Sequence, residues 1–186
     1  EKTAELLHRT ICHSRMHSVN PNFKIIVLLR NPIDRAYSQW KMATFSKHDE
    51  DATFNEVVNQ ELALFEAPEA TESFYACNVT NKTCWREGYI QKGMYAFQLA
   101  SLFRWFPRKQ VHIAISERIL KSMASEYNSM YRFLGVTPFV ASYREHFVSK
   151  SSVPLSRRMR DKLKMIYTQP NRELFNLLGT EIQEWD

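Results

Sequence analysis

The chain has 186 residues, 44% of them hydrophobic and 24% charged, with four glycines and seven prolines. That is one domain by length and an ordinary globular composition, which excludes a disordered or collagen-like chain, and no apolar run is long enough to span a bilayer. The net charge of +5 suits an anionic ligand such as a nucleotide, a sulfated glycan or nucleic acid, although none of the basic-aromatic motifs of the common RNA-binding modules occurs, so dedicated nucleic-acid binding is not expected.

The chain opens on Glu1-Lys2-Thr3 with neither an initiating Met nor a signal peptide, the mark of a processed or incomplete chain. Thr3 to Met16 has mixed helical character, with Leu6, Leu7, Thr10 and Ile11 recurring on one side. His8, His13 and His17 lie near one another but lack a neighbouring Glu motif, and read as surface histidines rather than metal ligands. Cys12 reads as a buried free thiol. Ser18 to Asn22 is a turn.

The most informative stretch follows, KIIVLLRNPIDRAYSQWK over residues 24–41. Lys24 to Leu29 is a short apolar, β-branched run, the pattern of a strand buried on both faces. Arg30 ends it, Asn31 and Pro32 give a helix cap and first turn, and Asp34 suits the helix dipole there. Ile33, Ala36, Tyr37 and Trp40 form one apolar stripe, which leaves Asn31, Arg35, Ser38 and Met42 on roughly the opposite side. A guanidinium at a strand tip, beside a helix N-terminus with a hydroxyl along the same helix, can hold a phosphate through free N–H groups, a bidentate fork and a further hydrogen bond. In open α/β sheets, ligands collect at that carboxyl rim. The alternative is plain ion pairing of Arg30 and Arg35 with nearby carboxylates.

The string R-N-P-x-x-R-A-Y-S resembles the 3′-phosphate-binding segment of sulfotransferases that use 3′-phosphoadenosine 5′-phosphosulfate (PAPS), in particular the Golgi heparan sulfate glucosaminyl 3-O- and N-sulfotransferases. The resemblance implies that Arg30 and Ser38 hold the 3′-phosphate. Glu1-Lys2-Thr3 is similar to a tripeptide that the 3-O-sulfotransferases carry before this strand, which implies that Lys2 lies near the transferred sulfonate and the acceptor; the alternative is a solvated terminal lysine.

Thr53 to Phe65 reads as an amphipathic helix, and 67–82 as a long polar loop at the entrance of a cleft. Within the loop, CNVTNKTC places the sequons Asn78 and Asn81 between Cys77 and Cys84. Two sequons in so short a loop point to a secretory compartment, where a Cys77–Cys84 disulfide is permitted; the alternative is a pair of free thiols. No zinc pattern accompanies them.

GYIQKGMYAFQLASLFRWFP, residues 88–107, reads as a helix ended by Pro107, with Met94, Phe97, Leu99, Leu102, Phe103 and Phe106 packed on the sheet. Lys92 and Tyr95 occupy matching positions of a family segment, which makes Lys92 a candidate for contact with the acceptor or cofactor, against a solvated first-turn lysine. Gln110 to Ile115 is the next buried strand, followed by Glu117-Arg118-Ile119-Leu120, which matches the family's E-x-L. Ser125 to Leu134 is a helix with Tyr127, Met130, Tyr131 and Leu134 inward and Gly135 as its C-cap. The stretch 146–152 departs from the family: it lacks the cysteines of a disulfide-closed hairpin and keeps only a Ser-Lys of the nucleotide-wrapping loop, leaving Lys150 and Ser151 as candidates for the nucleotide. Ser156 opens a helix with apolar Met159, Leu163 and Ile166 and a basic run read as its solvated side; Pro170-Asn171 then restarts a final helix, Arg172 to Leu178.

The expected fold is α/β: a single sulfotransferase-like domain over residues 1–186, with a central parallel sheet flanked by helices. The family's 5′-phosphosulfate loop and catalytic Glu have no counterpart here, so the expected domain lacks its first strand-loop-helix. The resemblance implies transfer of a sulfonate from PAPS to a carbohydrate in the Golgi lumen, without a metal, the partners being an anionic nucleotide and a sugar acceptor and any membrane link lying in an uncovered N-terminal anchor. The competing class is a non-catalytic sulfotransferase-like binding or structural module in a larger assembly. A nucleotide kinase is a more distant reading, since it too needs a phosphate loop.

Overall fold

The computed structural model describes residues 6–45, 52–65, 88–139 and 154–185. Lys2, Cys77, Asn78, Asn81, Cys84, Lys150 and Ser151 lie outside those residues, and with them the expected disulfide, the sequons and three of the predicted site positions.

Strands β1 (Ile25–Leu29) and β2 (Val111–Ile115) pair in parallel, from Ile25 opposite Val111 to Leu29 opposite Ile115. A parallel pair needs a long crossover. Here it carries α2 (Pro32–Phe45), α3 (Phe54–Phe65) and α4 (Tyr95–Trp105). Helix α1 (Ile11–Val19) precedes β1; α5 (Ser116–Lys121), α6 (Met123–Leu134) and α7 (Arg157–Leu178) follow β2. This is the α/β arrangement expected, with helices packed on a parallel sheet.

The hydrophobic side chains fall into two clusters joined by α7. Val27 and Leu29 of β1 meet Leu99 and Leu102 of α4, Val111 and Ile115 of β2 and Leu174 of α7. The other cluster gathers Ile33 and Ala36 of α2, Phe54 and Val58 of α3, and Met159, Leu163 and Tyr167 of α7. The stripe read on α2 is thus the one that packs. Helix α3 begins on a reciprocal cap, the Thr53 N–H donating to Glu56 Oε2 at 2.7 Å and the Glu56 N–H to Thr53 Oγ1 at 3.3 Å. Gly135 closes α6 at φ 76° with its N–H on the Tyr131 and Arg132 carbonyls, as expected.

Several sequence expectations change. Strand β1 is not buried on both faces: Val27 and Leu29 are, while Ile26 is 38% and Leu28 58% exposed. An all-apolar run carries no polar residue to mark its outward side, so its alternation is invisible in sequence. The last two helices are one, because α7 runs through Pro170 without a break; the missing proline N–H removes one rung of the ladder, and packing at both ends holds the rest. Phe97 is 43% exposed, since it lies about 200° round α4 from Leu99. The apolar residues of α6 are half-buried rather than inward.

The histidines are not all on the surface. His13 is fully buried, its Nδ1 3.1 Å from Ser101 Oγ and its Nε2 3.0 Å from the Leu7 carbonyl oxygen, and His8 is buried as well. Cys12 is a free thiol, half-buried rather than buried. No helix among the described residues is long and apolar enough to cross a membrane.

Candidate functional site

Arg30 leaves the carboxyl end of β1 exposed to solvent. Its backbone is fixed from below: the buried Tyr95 hydroxyl donates to the Arg30 carbonyl at 2.9 Å, and burial pushes that phenol's pKa up. The next amide is fixed from the side, the Asn31 N–H donating to Glu117 Oε1 at 2.8 Å while the Trp185 indole N–H donates to Glu117 Oε2 at 3.2 Å. Glu117 therefore ties the tips of both strands to the C-terminal turn. The family-like E-x-L was visible in sequence; this tie, linking residues 31, 117 and 185, was not.

Ser38 lies seven residues beyond Asn31, about two turns along α2 and within about 20° of the same face. It is half-buried, and neither Ser38 nor the Arg30 guanidinium makes a side-chain hydrogen bond or ion pair with another described residue. Among those residues no carboxylate pairs with Arg30, which removes the plain ion-pair reading there. The two sides of the turn thus present a free cation and a hydroxyl on a frame held by Tyr95, Glu117 and Asn31.

The helix N-terminus contributes less than the sequence suggested. Asn31 Oδ1 accepts from the Ile33 N–H at 3.0 Å and the Asp34 N–H at 3.3 Å, the Arg35 N–H donates to the Asn31 carbonyl, and Pro32 has no N–H. The first-turn donors are thus already used, and an anion here is left to the side chains and the residual dipole. Asp34 is engaged too, accepting from Arg160 Nη2 at 2.8 Å.

Arg35 does not join Arg30. It turns inward, donating to Gln39 Oε1 at 2.7 Å and to the Tyr89 carbonyl. Beside it the buried Glu61 carboxylate accepts from the Ile90 and Gln91 amides at 2.9 and 2.8 Å, and the Tyr167 hydroxyl donates to the Ile90 carbonyl at 2.9 Å. Burial pushes the Glu61 carboxyl's pKa up, opposed by those amides and by the Arg35 charge. This buried group clamps residues 88–94, which carry the half-buried Lys92 in a short 3₁₀ turn (Gln91–Gly93). The structure thus places Lys92 on a held segment across from α2, and gives no direct contact between it and Arg30. No cluster of three metal-ligating side chains occurs among the described residues.

A cavity of about 700 Å³ opens beside the same turn, between Asn31, Pro32 and Ile33 on one side and the C-terminal half of α7 with Trp185 on the other. Arg30, Ser38 and Lys92 do not line it. Its walls come from residues more than a hundred positions apart, a signal no local pattern carries.

Residues 4–169 match the family described as the Sulfotransferase domain. The chain belongs to that family. Among similar proteins, human carbohydrate sulfotransferase 15 is 28% identical over 185 residues, covering 91% of this chain and 32% of that protein. Human heparan sulfate glucosamine 3-O-sulfotransferase 3B1 is 25% identical over 160 residues, covering 85% and 36%. The human bifunctional heparan sulfate N-deacetylase/N-sulfotransferase 2 is 29% identical over 143 residues, covering 75% and 14%. The chain thus spans about a third or less of the length of these relatives. A sulfotransferase structure from Alicyclobacillus acidocaldarius superposes with a TM-score of 0.70 at 24% identity, covering 96% of this chain and 64% of that one, and carries the fold.

Proposed function

We propose that this domain transfers a sulfonate from PAPS to a carbohydrate hydroxyl or amine. The observation that supports the reading is Arg30: an exposed guanidinium at the rim of a parallel sheet, unpaired among the described residues, with Ser38 on the flanking helix of a sulfotransferase-family chain. The donor's mixed anhydride supplies an activated sulfonate, which passes in line to the acceptor oxygen or nitrogen while 3′-phosphoadenosine 5′-phosphate departs. Arg30 binds the 3′-phosphate through its planar fork, and Ser38 donates a further hydrogen bond to it. Lys2 faces the sulfonate or acceptor, Lys150 and Ser151 cover the nucleotide, and Lys92 contacts the acceptor. None of these steps calls for a metal. Carbohydrate and heparan sulfate sulfotransferases among the similar proteins support a sugar acceptor; the two sequons within a Cys-to-Cys loop support the Golgi lumen as its place of action, where Asn78 and Asn81 carry glycans and Cys77 pairs with Cys84.

The test is thermal unfolding with and without 3′-phosphoadenosine 5′-phosphate. At a hundred times its Kd, a ligand adds about 2.7 kcal/mol, which for a chain of this size is a rise of roughly 5–10 °C in Tm. The rise is expected in the native protein, and its loss in Arg30→Ala and reduction in Ser38→Ala. A rise of the same size in Arg30→Ala refutes the site. Nucleotide binding without sulfonate transfer to any glycan acceptor selects the competing reading, a sulfotransferase-like binding module.

A further inference from the structure

We propose that the turn after α7 (Gln183–Trp185) positions the phosphate anchor: Trp185, acting through Glu117 and Tyr95, fixes the peptide from which Arg30 departs. What this does for a phosphate rests on the transfer reading above; the fixing of the peptide does not.

One peptide unit joins Arg30 to Asn31, and both of its polar ends are held. The Tyr95 hydroxyl of α4 donates to its carbonyl at 2.9 Å, and its N–H donates to Glu117 Oε1 of α5 at 2.8 Å. Because the unit is planar, two hydrogen bonds at opposite ends fix its orientation, and with it the backbone angle on each side. The strand ladder fixes the preceding residue, Leu29, which lies opposite Ile115. The exposed guanidinium of Arg30 therefore stands on a root held from both directions.

The two holders meet at one residue. The Trp185 indole N–H donates to the other oxygen of the Glu117 carboxylate, Oε2, at 3.2 Å. Its ring centroid lies 5.8 Å from that of Tyr95 at a tilt of 42°, within the range of favourable aromatic pairs. Trp185 is buried, and Phe175 packs against it at 6.2 Å. A second tether joins neighbouring residues of the same two elements, Arg118 Nε to Glu184 Oε2 at 3.1 Å. With the indole in place each oxygen of Glu117 has a donor and the carboxylate has one orientation. Without it Oε2 turns to water, and the bond to the Asn31 N–H loses its fixed direction.

A held root matters because of what this rim lacks. The Ile33 and Asp34 amides are already capped, so an anion depends on a long, rotamer-rich side chain. Every freedom left to that chain is entropy lost on binding, and a fixed root reduces the loss. Phosphate on the Arg30 fork and docking of the turn are then linked, each favouring the other by the same factor.

Calorimetry with 3′-phosphoadenosine 5′-phosphate measures the effect. Trp185→Phe keeps a ring beside Tyr95 and removes the donor to Glu117; Tyr95→Phe removes the donor to the Arg30 carbonyl. Val111→Ala is the control, a cavity in the same core at the opposite end of the sheet. All three are expected to lower Tm, and circular dichroism checks that each is folded at the assay temperature. Glu117→Gln, which turns one acceptor end into a donor, replaces either of the first two where it is not. Dissociation constants are expected to rise about fivefold or more in Trp185→Phe and Tyr95→Phe, and by less than about twofold in Val111→Ala. An unchanged constant in Trp185→Phe or Tyr95→Phe, or an equal rise in Val111→Ala, overturns the proposal. Hydrogen exchange at the Asn31 amide needs no nucleotide, and is expected to be faster in Trp185→Phe than in Val111→Ala. If the native protein binds no nucleotide, the transfer reading falls; that difference in exchange then still upholds the positioning, and equal exchange overturns it as well.

Discussion

Gly93 sits where the segment before α4 passes between the start of α2 and the middle of α7. A Cβ at this position would lie 2.6 Å from the Tyr167 hydroxyl oxygen, 2.8 Å from Pro32 Cβ and 2.9 Å from Tyr167 Cε1. None of these atoms is the free end of a flexible chain. Tyr167 is 1% exposed and its hydroxyl is bound to the Ile90 carbonyl, while Pro32 is a ring at the first position of α2. Gly93→Ala is therefore expected to cost about 1–3 kcal/mol by overpacking, a fall in Tm of roughly 2–12 °C for a chain of this length. Tyr167→Phe alone removes the donor from the Ile90 carbonyl, at about 1–3 kcal/mol. In the double variant the 2.6 Å collision is gone, so the two effects are not additive. The combined loss is expected to fall short of the sum by about 0.5 kcal/mol or more. Urea and thermal unfolding of the four proteins measure the cycle. Native stability in Gly93→Ala, or strict additivity in the double variant, refutes the close packing of these three elements.

Three further outcomes follow from the same geometry. Burial holds the His13 pKa below its ordinary 6.5, so the unfolded chain takes up a proton that the folded chain refuses. The stability it contributes is present above that pH and falls as pH drops through it, by at most about 1.4 kcal/mol per pH unit; His112 shifts the same way and leaves a residual slope. Urea midpoints at about pH 7.5 and about pH 5.5 are expected to differ less in His13→Gln than in the native protein, and equal differences count against a neutral buried imidazole. Glu61→Gln turns an acceptor of two amides into a group with one acceptor and one donor end, so hydrogen exchange at Ile90 or Gln91 is expected to speed up, with a stability loss of about 1–3 kcal/mol; unchanged exchange refutes the clamp. Arg30→Lys keeps the charge but loses the fork, and is expected to lose most of the nucleotide-induced rise in Tm; a full rise means that charge alone suffices.

What the sequence made legible was local. A β-branched run ending in Arg, followed by Asn-Pro and a 3.6-residue apolar stripe, specified the strand, turn and sided helix that carry Arg30 and Ser38, because each step is decided within a few residues. What it hid depended on partners far along the chain. Asn31 is the plainest case: the same residue signals a helix cap and an anion-binding helix start, and only its hydrogen bonds to Ile33 and Asp34 show that the cap consumes the donors. The sequence placed Arg35 opposite the apolar stripe and assigned Glu61 no role, yet the half-buried Arg35 and the buried Glu61 each find backbone partners in residues 89–91. The cavity has no signature, since Asn31 and Trp185, which meet on its rim, lie 154 residues apart in sequence. These observations share a consequence. With the first-turn amides committed and Arg35 turned inward, the side chains left without a partner at this rim are Arg30 and Ser38, which is why the proposed phosphate site and its tests rest on those two.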